Sequence, residues 1–152
     1  MTLTIEPIGV VKSPVTDLEA LDAAWNTVVS EIHIDEALVG GLRGLEDWSH
    51  AIVIFTMHEA PFNAAKHMAF RPQDREDLPE VGVFAQRSRY YPNSIGVTAV
   101  AIQKIENGVV TVKGLDAIDG TPVLAIKPYA PLFDSAHEEP AVPVWFFRLM
   151  QG

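Results

Sequence analysis

Cysteine is absent from all 152 residues, which removes disulfides, thiolate nucleophiles and cysteine-ligated zinc or iron–sulfur sites together. No apolar run approaches the roughly 20 residues that a membrane helix needs. The opening residues, MTLTIEPIGVVKSP, lack the basic, apolar and small-residue pattern of a secretory signal. Glycine-rich phosphate loops are missing too, since Gly40-Gly41…Gly44 has neither the lysine nor the preceding strand. Ser49-His50 and Ser135…His137 lie outside any strand–elbow–helix setting, which argues against a nucleophilic triad. His50, His58, His67 and Glu59 fit no metal-ligand spacing, so no metal is expected. Positive charge is scarce: 11 Lys plus Arg stand against 20 Asp plus Glu, a formal net charge of −9. That balance disfavours broad binding to polyanions and favours a small ligand or a local contact. A soluble, cytoplasmic protein with no membrane partner is the expectation.

What is present suits a globular chain, with 48% hydrophobic and 20% charged residues and enough length to bury a core. A single domain over residues 1–152 is expected, with the last 18 residues forming an aromatic tail around Trp145, Phe146 and Phe147. Residues 8–12 read as a strand stopped by Ser13-Pro14, and 17–25 (DLEALDAAW) as a short helix or ordered loop. In 27–34, Val28, Ser30, Ile32 and Ile34 alternate with Val29, Glu31 and His33, the pattern of a half-buried strand. Residues 49–57 (SHAIVIFTM) form the strongest strand and are expected to be central. Asn107-Gly108 between two alternating runs predicts a type I′ hairpin, and Asp119-Gly120 a tight turn before a strand at 123–127. Residues 63–79 make an excursion long enough to be a lid, a binding loop or an oligomer contact, with a short helix at NAAKHMAF. About seven short strands with little helix predict a mainly β fold: one small, closed or nearly closed β-barrel with short helices in its connections.

Residues 81–100, VGVFAQRSRYYPNSIGVTAV, stand out, because no acidic residue falls between Glu80 and Glu106. Two apolar runs are expected to form a hairpin around a polar tip in which Pro92-Asn93 forces a turn. The bland reading is a solvated tip with ordinary surface arginines. The functional reading has comparable weight, since loops on rigid scaffolds carry function disproportionately. Other polar residues also fall at strand ends: His58-Glu59, Arg87-Ser88, Asp116, Asp119 and Lys127. An arginine suits a carboxylate, and carboxylates suit an amine or a ribose diol, so the set fits a zwitterionic small molecule. Each residue singly is as readily structural; Asp119, for instance, can serve only its own turn.

Four blocks, IGVVKSP, GLRGLEDWSHAIVIFTMHE, GVFAQRSRYYPNSIGV and LDAIDGTPVLAIKPYAP, span residues 8–134 with Asp134 close behind the last. Together they resemble the TsaA/TrmO family of SAM-dependent tRNA adenine N6-methyltransferases. The resemblance implies a small β-barrel that binds S-adenosylmethionine (SAM), works as a homodimer, and methylates N6 of a threonylcarbamoylated adenosine beside the anticodon of tRNA. Carried over by motif, cofactor contacts fall at His58, Glu59, Arg87, Ser88, Val97, Asp116, Ala117, Ile118 and Asp119. Arg89, Tyr90, Tyr91, Asn93 and Lys127 become acceptor residues, and Glu59 and Asp119 the candidate general bases. The chain departs from the pattern at Tyr91 and Ser94, where the family has arginine and proline. Its residues 15–29 replace a P-R-Q-P-G cofactor loop, and FRPQDREDLPEVG replaces a basic R-P-P-R-L-G-G segment. These losses bear on tRNA more than on SAM. A non-catalytic SAM- or nucleoside-binding barrel and a small-molecule methyltransferase therefore remain alternatives, as does an oligomerisation domain built on the tail.

Overall fold

Alternation of apolar and polar residues gives a sheet one dry face, and here that face closes on itself. The computed structural model describes all residues 1–152. Its strands are β1 (Gly9–Lys12), β2 (Val29–Ile34), β3 (His50–Thr56), β4 (Ala69–Phe70), β5 (Val81–Gly82), β6 (Ile95–Glu106), β7 (Val109–Lys113) and β8 (Pro122–Pro128). Six of them form a closed antiparallel barrel in the order β1-β2-β7-β6-β3-β8, as the strand pattern predicts. The helices are short: α1 (Leu18–Ala24), α2 (Ala64–His67), α3 (Pro131–Asp134) and α4 (Val144–Met150). No helix is long and apolar enough to cross a membrane. The chain divides into two compact units, Met1–Glu59 with Ile95–Ala130, and Ala60–Ser94 with Pro131–Gly152.

The first unit is the barrel. Its interior holds Val11, Ile32, Val53, Phe55, Val100, Val110, Val112, Leu115 and Val123, all essentially buried. The alternation read in β2 is realised, with Ser30 and Ile32 inside and Val29 and Glu31 outside. Asp17 caps α1 by accepting from the Ala20 N–H at 2.8 Å. Asn107 (φ 53°) and Gly108 (φ 76°) both take the left-handed conformation that a type I′ turn requires, which sets the register of β6 against β7. β3 pairs with β6 on one side and β8 on the other, in keeping with its continuous apolar run.

One interior polar group lacks a partner: Ser30 Oγ is buried and makes no hydrogen bond within the protein. An unsatisfied hydroxyl costs desolvation energy that alanine would not incur. Ser30→Ala is expected to raise the unfolding free energy by about 1 kcal/mol, read as a higher midpoint in urea. A lower midpoint would mean that the hydroxyl is satisfied in solution.

The second unit corrects one expectation. The run 81–85 does not form a hairpin with β6. Only Val81–Gly82 is strand, paired with β4, and Val83–Ala85 turns into a 3-10 helix. The reason is burial: Val83 is buried, Phe84 is 76% exposed, and a run with one inward side chain has no dry face to offer β6. The buried amide of Gln86 holds the bend by donating through Nε2 to the carbonyls of Phe70 (3.1 Å) and Val81 (3.2 Å). The turn at Pro92-Asn93 does form, with Asn93 at φ 67°. The tail contains an element the sequence pattern did not disclose, α4. Its VWFFRLM has no polar half from which a 3.6-residue period could be read.

Candidate functional site

Within the barrel unit, strand register sorts the predicted residues between two rims. His58 and Glu59 follow β3, whose Thr56 pairs with Ile95 at the start of β6. Asp116, Ala117, Ile118 and Asp119 lie in the crossing from the end of β7 to the start of β8. Phe55 pairs with Val123, so both groups stand at the same rim. Val97, opposite Ile54 on β6, is near it and 45% exposed. Lys127 is not brought there: it pairs with Ile52, roughly 20 Å down β3 from His58 at the strand rise per residue.

The crossing segment is tied down from both sides. Asp119 Oδ1 accepts from the Ser13 N–H at 2.9 Å, and the Asp119 N–H donates to the Val15 carbonyl at 2.8 Å. Gly120, at φ 82°, donates to the Val11 carbonyl, and the buried Thr121 hydroxyl donates to the Ile118 carbonyl at 2.7 Å. Ala117 and Ile118 are buried, and the Ile118 carbonyl already accepts from Thr121. Asp116 and Asp119 are exposed and present carboxylates. His58 Nε2 lies 3.7 Å from Glu59 Oε1, a loose pair with both side chains partly open to water. Beside Val97, Gly96 is obligatory: a Cβ there would meet the Phe55 ring at 2.5 Å. The carboxylate acceptors at this rim suit hydroxyls and an ammonium group, which donate.

The second unit carries the loop. Arg87 follows the anchored Gln86 and is exposed. Ser88 Oγ accepts from the Tyr90 N–H at 3.0 Å, so this hydroxyl shapes the loop and keeps its proton to donate. The Tyr90 ring stacks on His67, with centroids 4.2 Å apart and planes 17° from parallel. Tyr91 meets Phe84 edge-on at 5.8 Å. Asn93 is exposed at the turn. The replaced basic segment is engaged internally: Arg71 donates to the carbonyls of Glu76 and Leu78, and Arg75 forms a two-bonded pair with Asp77 at 3.0 and 2.7 Å. That hydrogen bonding raises the Arg75 pKa and lowers that of Asp77.

Two features carry no signal in the sequence. One is the His67–Tyr90 stack, whose partners are distant in the chain. The other is a cleft of about 510 Å3 at the far rim of the barrel, lined by Ile8, Ile34, Leu42, Trp48, Ile126 and Pro128 among others. It is mostly apolar, and none of the predicted residues lines it. Chemistry rather than volume therefore assigns the site. No group of three or more His, Asp or Glu stands close enough to hold a metal.

A family model described as "tRNA-methyltransferase O N-terminal domain" matches residues 13–135. The chain belongs to this family. A solved structure titled "Crystal structure of TrmO" superposes with a TM-score of 0.73 at 30% identity, covering 93% of this chain and 64% of that one. An Archaeoglobus fulgidus relative named S-adenosyl-L-methionine-binding protein is 38% identical over 90% of this chain and 96% of its own length. A Mus musculus relative named tRNA (adenine(37)-N6)-methyltransferase is 43% identical over 62% of this chain and 21% of its own. The TrmO-family chain described here thus spans less than two thirds of the solved TrmO chain and about a fifth of the mouse protein.

Proposed function

We propose that this TrmO-family protein is a SAM-dependent methyltransferase whose acceptor is an adenine nitrogen in tRNA. The observation that carries the reading is the gathering of His58, Glu59, Asp116 and Asp119 at one barrel rim, in a chain similar along 90% of its length to a SAM-binding relative. In this reading His58, Glu59, Val97 and residues 116–119 contact SAM, and the family motif adds Arg87 and Ser88 as cofactor residues. The carboxylates take the ammonium group and ribose hydroxyls, and Arg87 takes the carboxylate. Bound there, SAM supplies an electrophilic methyl group on a sulfonium.

The protein's share is to orient the acceptor and keep water away, since alignment can supply much of the rate of such a transfer. The departing proton needs an acceptor, and Glu59 and Asp119 are the carboxylates proposed for it. Asp119 already receives the Ser13 N–H on one oxygen, which fixes its position and leaves the other oxygen for a ligand. Arg89, Tyr90, Tyr91 and Asn93 are proposed to face the acceptor. The net charge is −9, and the acid-free stretch between Glu80 and Glu106 carries Arg87, Arg89 and Lys104. That local balance supports a polyanionic acceptor approaching the loop. A cytoplasmic setting accords with such an acceptor.

Calorimetry with SAM and with its demethylated product tests the cofactor. Binding at roughly hundreds of micromolar or tighter is expected, and silence with both ligands at that concentration defeats the reading. Transfer of a labelled methyl to bulk tRNA, compared with a metabolite extract, identifies the acceptor class. The second reading, a SAM-binding module without turnover, is favoured by the name of the Archaeoglobus relative. It predicts SAM binding with no labelled product from either pool.

Self-association as a homodimer is proposed as part of the same reading. Its support is the exposure of Leu132 (98%), Phe133 (86%), Val144 (71%), Phe147 (56%) and Met150 (59%) on the two C-terminal helices. Removing residues 144–152 is expected to shift sedimentation from dimer to monomer and leave the SAM Kd unchanged. A truncated protein that still sediments as a dimer would place the contact elsewhere.

A further inference from the structure

The loop unit contains an arrangement that the cofactor reading does not use. His67 ends α2, and its ring is fixed on several sides. Nδ1 accepts the Asn63 N–H at 2.9 Å, which leaves the proton of a neutral ring on Nε2. Asn63 in turn caps α2 by accepting from the Ala65 N–H, and its carbonyl accepts from the His67 N–H at 2.7 Å. Phe62 and Phe70 flank the imidazole at 6.1 and 6.0 Å between centroids, tilted and edge-on. Tyr90 lies flat against it. An unrestrained tyrosine on a loop would sample several rotamers and lose that freedom on binding a ligand. Here the imidazole and the Ser88–Tyr90 turn have already restricted the ring.

We infer that Tyr90, held by His67, is a stacking platform for an unpaired base of the acceptor, and that His67 is a positioning residue acting through Tyr90. The chemistry fits a single-stranded nucleic acid. A preoriented aromatic face accepts any base by stacking. Arg89 adjoins Tyr90, Arg87 lies three residues before it, and no acidic residue occurs from 81 to 105 to repel a phosphate. The proposal deepens the methyltransferase reading by naming how the acceptor base is held, and it rests on that reading for the identity of the base as adenine.

The test measures acceptor binding without SAM. Fluorescence anisotropy at low salt compares a short single-stranded RNA containing one adenine in an abasic tract with a wholly abasic strand of equal length. The native protein is expected to prefer the adenine strand, and Tyr90→Ala to weaken that binding about tenfold, in the range of one lost base stack. His67→Ala should weaken it in the same direction, and His67→Phe, which keeps a flat ring without Nδ1, should restore it. The abasic strand should bind all four proteins alike, while Arg89→Ala should weaken both strands equally. In case His67→Ala does not fold, the native protein offers its own readout: 2-aminopurine in place of adenine should be quenched on binding, and the quench lost in Tyr90→Ala.

Equal affinity of the native protein for the two strands, or an unquenched probe, overturns the platform. So does a His67→Phe protein that binds no better than His67→Ala. Failure of the two readings is separable. SAM binding with no preference for the base defeats the platform alone, and base preference without SAM binding defeats the methyltransferase reading alone.

Discussion

Arg87→Ala is expected to weaken SAM binding by about 10- to 100-fold, the equivalent of a charge-assisted hydrogen bond worth roughly 1.5–3 kcal/mol. Arg87 is exposed, and the loop it opens is anchored by the preceding Gln86. The melting temperature should therefore move little, because surface substitutions rarely change stability by more than about 0.5 kcal/mol. Arg87→Lys should recover only part of the affinity, since a point charge cannot reproduce a two-bonded fork on a carboxylate. Calorimetry on the three proteins decides it. An unchanged Kd in Arg87→Ala removes this residue from the cofactor contacts. A parallel change at the barrel rim needs a gentler substitution. Asp119 holds the Ser13 N–H, so Asp119→Asn keeps that acceptor and isolates the charge, whereas alanine would also release the turn.

Ile32→Ala is the substitution expected to harm the fold most among those considered, by about 2–5 kcal/mol. Its side chain is 0% exposed and belongs to the barrel interior, on a strand paired with β1 through Val11 and with β7 through Val110. Both neighbouring strands are themselves closed into the ring, so they cannot collapse readily into the space left behind. Against a total stability of about 5–15 kcal/mol, such a loss approaches half of what a typical domain has. Urea denaturation should show a large fall in midpoint with an unchanged slope. Val29→Ala, on the outer face of the same strand and 42% exposed, serves as the control and should cost far less. A loss below about 1 kcal/mol for Ile32→Ala would mean that the interior refills, contrary to the packing seen.

The two groups of candidate residues were legible in the sequence to different depths. Period-two patterns in 27–34 and 49–57 and the Asn107-Gly108 turn were enough to predict strands, faces and a hairpin, because side-chain alternation and positive φ are local properties. The order of residues also determined that His58-Glu59 and Asp116 to Asp119 sit at strand ends. Which end is a matter of register, and register is decided by partners distant in the chain. Only the pairing of Lys127 with Ile52 separates that lysine from the His58 rim. Only the tertiary structure shows that Ala117 and Ile118 are buried while Asp116 and Asp119 beside them are exposed.

Residues 81–100 were prominent from sequence for their lack of acid, and the family motif within them was visible there too. The hairpin expected of them did not follow: Val81–Gly82 pairs with β4, and Val83–Ala85 turns into a 3-10 helix that buries Val83 and exposes Phe84. Likewise no spacing rule connects His67 to Tyr90. Their stack exists because a four-residue helix capped by Asn63 and a turn pinned by Ser88 bring two rings face to face. Composition and local pattern thus determined the barrel class, the strands and the residue types available for chemistry. Tertiary structure alone decided which of them share a rim, which are spent on holding a turn, and which rings meet, since those depend on contacts between segments far apart in sequence.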